Sequence, residues 1–262
     1  MTTTTLDPMR RLELGGGMVE TASGRATRLM LPPKPSGYAD AQLDDTAALS
    51  RSRFRWQPPL AMRLRARASH ASPLGTLGFG FWNDPFAVSL GQGGAARRLP
   101  AAPRALWFFY ASPPADLRFT PGIAGHGWKA MQLTTRPMPP AALFTLAPAA
   151  VVLSQIPPLR GPVLRRALAQ VQGAEAMLPV DLAEWHAYEI EWQEDHAELR
   201  LDGQVVLRTA ISMAGPLGFV AWIDNQYATA TAESGFRFGL IPTTETQWLD
   251  IDAFELTGAW GA

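Results

Sequence analysis

The chain has 262 residues, 47% of them apolar, with 23 basic and 23 acidic side chains. That is enough apolar material for one large β-sandwich core, and a formal charge of zero offers no long-range field to recruit nucleic acid or an anionic membrane. There are no cysteines, so disulfides, thiolate metal sites and cysteine nucleophiles are excluded. The start, MTTTTLDPMRRLELGGG, lacks the basic-then-apolar order of a secretory leader. Cytoplasmic residence is the expectation, or secretion if a leader has been removed. No segment reads as a transmembrane helix. Residues 141–156 come nearest, and Pro148 interrupts them.

Residues 1–17 are Thr-rich and then Gly-rich and read as a flexible N-terminal tail; 18–262 read as a single sandwich domain. Met18 to Glu20 and Arg25 to Leu31 flank Ala-Ser-Gly and predict a first hairpin. Tyr38 to Asp45 predicts a strand and turn, with its acidic pair as a turn or cap. From Phe54 to Ala68, Leu60, Met62, Leu64, Ala66 and Ala68 alternate with Arg63, Arg65 and Arg67, the pattern of a long strand with a polar outer face. Gly75, Gly78 and Gly80 interleave with aromatics up to Trp82, as in a strand that another segment or a ligand crosses closely. Ala105 to Ala111 is apolar on both faces and must be covered on both sides.

His126 and Trp128 open the next strand, and His126 reads either as hydrogen-bonded structure or as a site group. The four histidines lack metal-ligand spacing. Residues 137–180 break the strand rhythm. They form a proline-punctuated apolar insertion whose second half reads as a short helix, with Pro162 in its first turn and Val163, Leu164, Leu168 and Val171 on one stripe. The insertion is a lid, a dimer contact, or a membrane-surface contact through 141–172. Between Trp185 and Thr209, Tyr188, Ile190 and Trp192 alternate with glutamates. Ala197, Leu199 and Leu201 then alternate with charged residues, and Asp202-Gly203 suits a two-residue hairpin. This predicts a three-stranded meander. Pro216 to Tyr227, Phe236 to Leu240 and Trp248 to Leu256 complete the sheets.

The order Trp185-His186-x-Tyr188-x-Ile190-Glu191-Trp192, a polar turn, an alternating strand and Asp202-Gly203 resembles the meander of glycoside hydrolase family 16. That family belongs to the concanavalin A-like lectin/glucanase superfamily. The resemblance covers roughly 50–135 and 183–257, and it implies an all-β antiparallel jelly-roll sandwich with a short, partly helical insertion. It also implies that the Ala105–Ala111 strand stands where the hydrolases carry Glu-x-Asp-x-x-Glu. Retaining hydrolysis needs two carboxylates about 5 Å apart, and this strand has none. Its Trp107, Phe109 and Tyr110 can stack on a flat or apolar ligand instead. By the same resemblance, Trp82, Asn83 and Asp84 are candidates to line a cleft, as are Trp222, Asp224, Asn225 and Tyr227; Trp128 is a further stacking candidate.

The carboxylate series Asp250-x-Asp252-x-x-Glu255 is close to the hydrolase triad, and a bulge would bring all three onto one face. It lies on the chain's closing strand, however, where the resemblance implies a strand face. There Asp252 matches a position that binds a structural calcium ion in relatives. Three functional readings follow. The leading one is a non-hydrolytic protein that binds a small molecule or oligosaccharide on an aromatic groove, with no cofactor beyond that calcium. The second is a divergent glycosidase using Asp250, Asp252 and Glu255, or an enzyme for an apolar substrate using Asp84, His126 or Asp224. The third is a structural protein assembling through the insertion.

Overall fold

The computed structural model describes residues 5–21, 26–46, 49–85, 101–135, 156–211, 213–231 and 235–260. In chain order the strands are β1 (Arg10–Leu14), β2 (Met18–Thr21), β3 (Thr27–Leu31), β4 (Asp40–Asp44), β5 (Trp56–Ala68), β6 (Thr76–Trp82), β7 (Ala105–Ala111) and β8 (Gly127–Thr135). After helix α1 (Pro157–Leu168) come β9 (Val171–Met177), β10 (His186–Trp192), β11 (Ala197–Leu201), β12 (Gln204–Thr209), β13 (Gly218–Asp224), β14 (Gln226–Thr231), β15 (Gly235–Leu240) and β16 (Gln247–Trp260).

Two seven-stranded antiparallel sheets, ordered β1-β4-β13-β6-β7-β8-β9 and β12-β11-β10-β5-β16-β3-β2, pack face to face as a jelly-roll sandwich. Period-2 alternation drives this, because each strand turns one set of side chains to the other sheet. On β5, Leu60, Met62, Leu64, Ala66 and Ala68 are buried while Arg63 and Arg65 are exposed. The meander β10–β12 pairs in the predicted register, with Tyr188 opposite Leu201 and Ile190 opposite Leu199. Asp202 and Gly203 both take positive φ, 49° and 77°, at its tight turn. Tyr188 reaches across the sandwich, its ring 5.0 Å from that of Phe79 and 4.9 Å from that of Phe108. Trp192, 1% exposed, packs against Phe81.

Four expectations are corrected. The stretch read as a flexible tail contains β1, which pairs along β4 from Arg10 opposite Asp44 to Leu14 opposite Asp40. Leu6 and Met9 are buried, and Arg10 is held by Asp44, so this segment is anchored. The helix is shorter and earlier than read, and Pro162 lies inside it. Residues 171–177 are a strand on the sheet edge, because Val171, Gly173 and Glu175 meet Thr135, Leu133 and Met131 in register. The tertiary pairing overrides a weak helical stripe. Finally, β15 pairs with β14 in a separate two-stranded hairpin and joins neither large sheet. The predicted lid, dimer or membrane contact falls largely on 136–155, which lie outside the described residues. No helix among the described residues is long and apolar enough to cross a membrane.

Candidate functional site

The outer face of the β1–β9 sheet follows from its register. Leu77, Phe79 and Phe81 on β6 point into the core, as do Leu106, Phe108 and Tyr110 on β7 and Phe219, Ala221 and Ile223 on β13. The alternate positions therefore point away from the other sheet. One cross-strand row on that outer face runs Leu12, Gln42, Trp222, Gly78, Phe109, Lys129 and Met177. The neighbouring row runs Arg10, Asp44, Val220, Gly80, Trp107, Met131 and Glu175.

Four aromatic rings gather at the centre of these rows. Trp107 stacks on Phe109 at 5.6 Å with 20° between planes. It also meets Trp222 at 5.2 Å and Trp82 at 6.0 Å. Phe109 and Trp222 close the group at 5.9 Å. The glycines make this possible. A Cβ on Gly78 would stand 2.8 Å from Cη2 of Trp222, and one on Gly80, whose φ is +146°, would stand 2.6 Å from Cβ of Trp107. The bare β6 backbone thus lets rings from β7 and β13 lie over it and touch each other. Trp107 Nε1 donates to Met131 Sδ at 3.4 Å. Trp82 Nε1 is buried with no acceptor among the described residues.

Polar groups edge the aromatic patch on the β4–β13 side. Trp222 Nε1 donates to Thr76 Oγ1 at 2.9 Å, and that hydroxyl donates to Asp224 Oδ1 at 2.7 Å. Burial outweighs these hydrogen bonds and pushes the Asp224 carboxyl up to about 6. On the opposite side, Lys129 and Glu175 form a buried ion pair at 2.9 Å. Glu175 Oε1 accepts the backbone N–H groups of Phe119 and Thr120, at 3.0 and 2.7 Å. Lys129 Nζ donates to Leu117 O at 3.2 Å. The pair therefore staples the 117–120 loop to the sheet.

The predicted site residues divide sharply. Trp82, Trp107, Phe109, Trp222 and Asp224 share the outer face. Tyr110 and Trp128 belong to the core, 6% and 4% exposed, because both occupy inward positions of their strands. Asn83 is 1% exposed and is consumed locally. Its Nδ2 donates to Ala102 O at 2.8 Å and its Oδ1 accepts Arg104 N at 2.9 Å. Asp84 follows with φ of 46° in the turn that ends β6. Asn225 is fully buried, its side chain tying Ala39, Gly37 and Ile241 together. Tyr227 lies on the β14–β15 hairpin over Gly239. His126 is exposed in the loop before β8.

Asp250, Asp252 and Glu255 lie on β16, in the other sheet, and their register partners are Arg67, Arg65 and Arg63. The expected bulge exists between Asp252 and Glu255, where Ala253 takes φ of 48°. Asp250 is gripped by Arg28 at 2.7 and 2.9 Å and by Arg67 at 3.3 Å, and Asp252 lies 3.5 Å from Arg65. The guanidiniums of Arg28 and Arg67 lie over the ring of Trp248, and those of Arg65 and Arg67 over that of Trp185. These carboxylates are bound into an ion-pair face on the far side of the sandwich from the aromatic patch. No group of three or more His, Asp or Glu able to hold a metal ion occurs among the described residues.

Sequence reading missed Gln42, Thr76, the Lys129–Glu175 pair and Asp40. The expected strand over 38–45 is β4, on which Asp40, Gln42 and Asp44 alternate with the buried Ala41 and Leu43; its place beside β13 is what the sequence did not show.

No protein-family model matches the chain, and no curated protein matches it by sequence. Solved structures do resemble it. The κ-carrageenase from Pseudoalteromonas carrageenovora, solved with an oligotetrasaccharide of κ-carrageenan, superposes with a TM-score of 0.49 at 11% identity, covering 93% of this chain and 83% of that one. The β-glucanase of Bacillus licheniformis gives 0.46 at 12% identity, covering 95% and 92%. The carbohydrate recognition domain of Emp47p gives 0.44 at 11%, covering 93% and 87%. The jelly-roll assignment rests on the strand pairing itself.

Proposed function

We propose that the outer face of the β1–β9 sheet is a non-hydrolytic binding platform for a glycan. The observation that carries this is the contiguous cluster of Trp82, Trp107, Phe109 and Trp222 on an outward sheet face. Pyranose rings present C–H faces that pack on indole rings, while their hydroxyls need polar groups at the edge. Gln42, Thr76 and Asp224 border the rings in register and meet that need. The outward positions of β7 are Ala105, Trp107, Phe109 and Ala111, none of which can give or take a proton at a glycosidic oxygen. Asp250 and Asp252 are occupied by arginines on the opposite sheet.

Tryptophan fluorescence titration with neutral oligosaccharides tests the reading, run in parallel with hydrophobic ring compounds. Saturable binding of an oligosaccharide, weakened at least tenfold in Trp107→Ala and Trp82→Ala, is expected. Binding of hydrophobic compounds alone would replace the glycan with an apolar ligand. Release of shortened saccharide that is lost in Asp224→Asn or Asp252→Asn would make the protein a hydrolase.

A further inference from the structure

The β4–β13 edge of the platform carries Asp40 and Asp224 on opposed outward positions, with Asp44 two outward positions further along β4, beyond Gln42 and opposite Val220. The guanidinium of Arg10 stands across from Asp44 on β1, whereas Leu14 stands across from Asp40. Arg10 is committed to Asp44: Nε and Nη2 both donate to its Oδ2, at 3.0 and 2.5 Å. Gln42 Nε2 adds a third donor to that oxygen at 2.9 Å, and Thr46 supplies Oδ1 with its N–H and its hydroxyl. Asp44 is therefore satisfied. Asp224 accepts the Thr76 hydroxyl and Gln226 N. Asp40, its cross-strand partner, is 3% exposed, and its carboxyl accepts no hydrogen bond from any described residue. Arg10 acts on it only at a distance, across Asp44. A buried carboxylate that accepts no hydrogen bond is disfavoured, and proteins keep one mainly where something binds it.

We infer that Asp40 and Asp224 form a subsite for an ammonium group carried on the platform's ligand, which makes that ligand an amino sugar. The inference rests on the glycan-platform reading. Local charge calls for a cation, and Trp222, next to Asp224 on the same face, offers the ring such a group favours. A hard metal ion would want six or more oxygen ligands, and no group of three suitable side chains exists among the described residues. An ammonium needs only two or three acceptors.

The groups facing Asp40 are Asp224 on β13, Asp44 on its own strand, Arg10 on β1 and Tyr38 just before β4. Burial first, then Asp224 and Asp44, raise the Asp40 carboxyl well above its ordinary range, against the pull of Arg10. The raised carboxyl holds its proton over a pH range where an ordinary aspartate is ionised, and an incoming ammonium favours the ionised form, so binding releases protons and tightens as pH rises through that range.

Calorimetric titration of glucosamine oligomers against N-acetylated oligomers of equal length tests this. It is run in two buffers of different ionisation enthalpy, on the wild type, Asp40→Asn, Asp224→Asn and Trp107→Ala, each checked for folding by its thermal transition. The expected result is at least tenfold tighter binding of the free-amine oligomer, with proton release. In Asp40→Asn the preference and the proton release should disappear while the acetylated oligomer binds as before. Equal affinity for both oligomers, lost in Trp107→Ala, would overturn the subsite and leave the platform standing. A free-amine preference that survives in both aspartate variants would also overturn it. Absence of binding by either oligomer would remove the platform and the subsite together.

Discussion

Lys129 Nζ and Glu175 Oε2 meet at 2.9 Å on neighbouring strands, their side chains 1% and 0% exposed. A pair so deep is weak support for stability by itself, but removing one partner strands the other in a dry site. Glu175 also holds the N–H groups of Phe119 and Thr120, so its loss unpins that loop from the sheet. Glu175→Leu should lower unfolding free energy by about 3–5 kcal/mol. The double variant Lys129→Met with Glu175→Leu should lose clearly less than the sum of the singles. Urea denaturation of all three checks this, and strict additivity would show that the two charges do not act as a pair.

The bare β6 backbone gives a second prediction. Gly78→Ala drives a methyl group into the Trp222 ring, at 2.8 Å, and Gly80→Ala adds strain at φ of +146°. Each should destabilise by about 1–3 kcal/mol. Gly78→Ala should also alter tryptophan emission, since Trp222 must move off its contacts with Trp107 and Phe109. Unchanged emission and melting would mean that the rings do not depend on those glycines.

Much of this arrangement was legible, for a simple reason. Strong period-2 alternation with β-branched, aromatic and Arg residues marks β5, β10 and β11, and their buried sets, including Trp192, are those observed. The expected aromatic strand β7 also appears over the same residues. What alternation cannot decide is which face of a fully apolar strand looks outward. Tyr110 and Trp128 therefore read as site residues although both point inward. Asn83 and Asn225 read as ligand groups because free amides look functional in sequence; both are satisfied by distant backbone. Asp40 shows the reverse error. Its unpaired state depends on β13 lying beside β4, a contact between positions 184 residues apart that no local pattern reveals.

The carboxylates on the β4–β13 edge give a pH prediction with a definite sign. Burial raises Asp224 to about 6, above the value near 4 of an unfolded aspartate. Between those values the folded chain binds more protons than the unfolded one, so this group's contribution to stability falls as pH rises from about 4 to about 6 and is level beyond. Asp45, also raised to about 6 by burial although it accepts Trp56 Nε1 and Phe219 N, acts in the same direction. Asp224→Asn should flatten part of the fall in melting temperature over that interval. A steeper fall in the variant would contradict the assigned direction.

In the proposed function an intact glycan lies on the rings of Trp82, Trp107, Phe109 and Trp222. Saturation-transfer difference NMR reads this contact most directly, because saturation passes from aromatic protons to ligand protons packed against them. With an oligosaccharide in excess, transfer to the ring C–H protons of at least one sugar residue is expected. The transfer should be strongly reduced in Trp107→Ala and in Trp222→Ala, and ligand length should be unchanged after prolonged incubation. No transfer in the wild type, transfer indifferent to both substitutions, or a shortened oligosaccharide would contradict it.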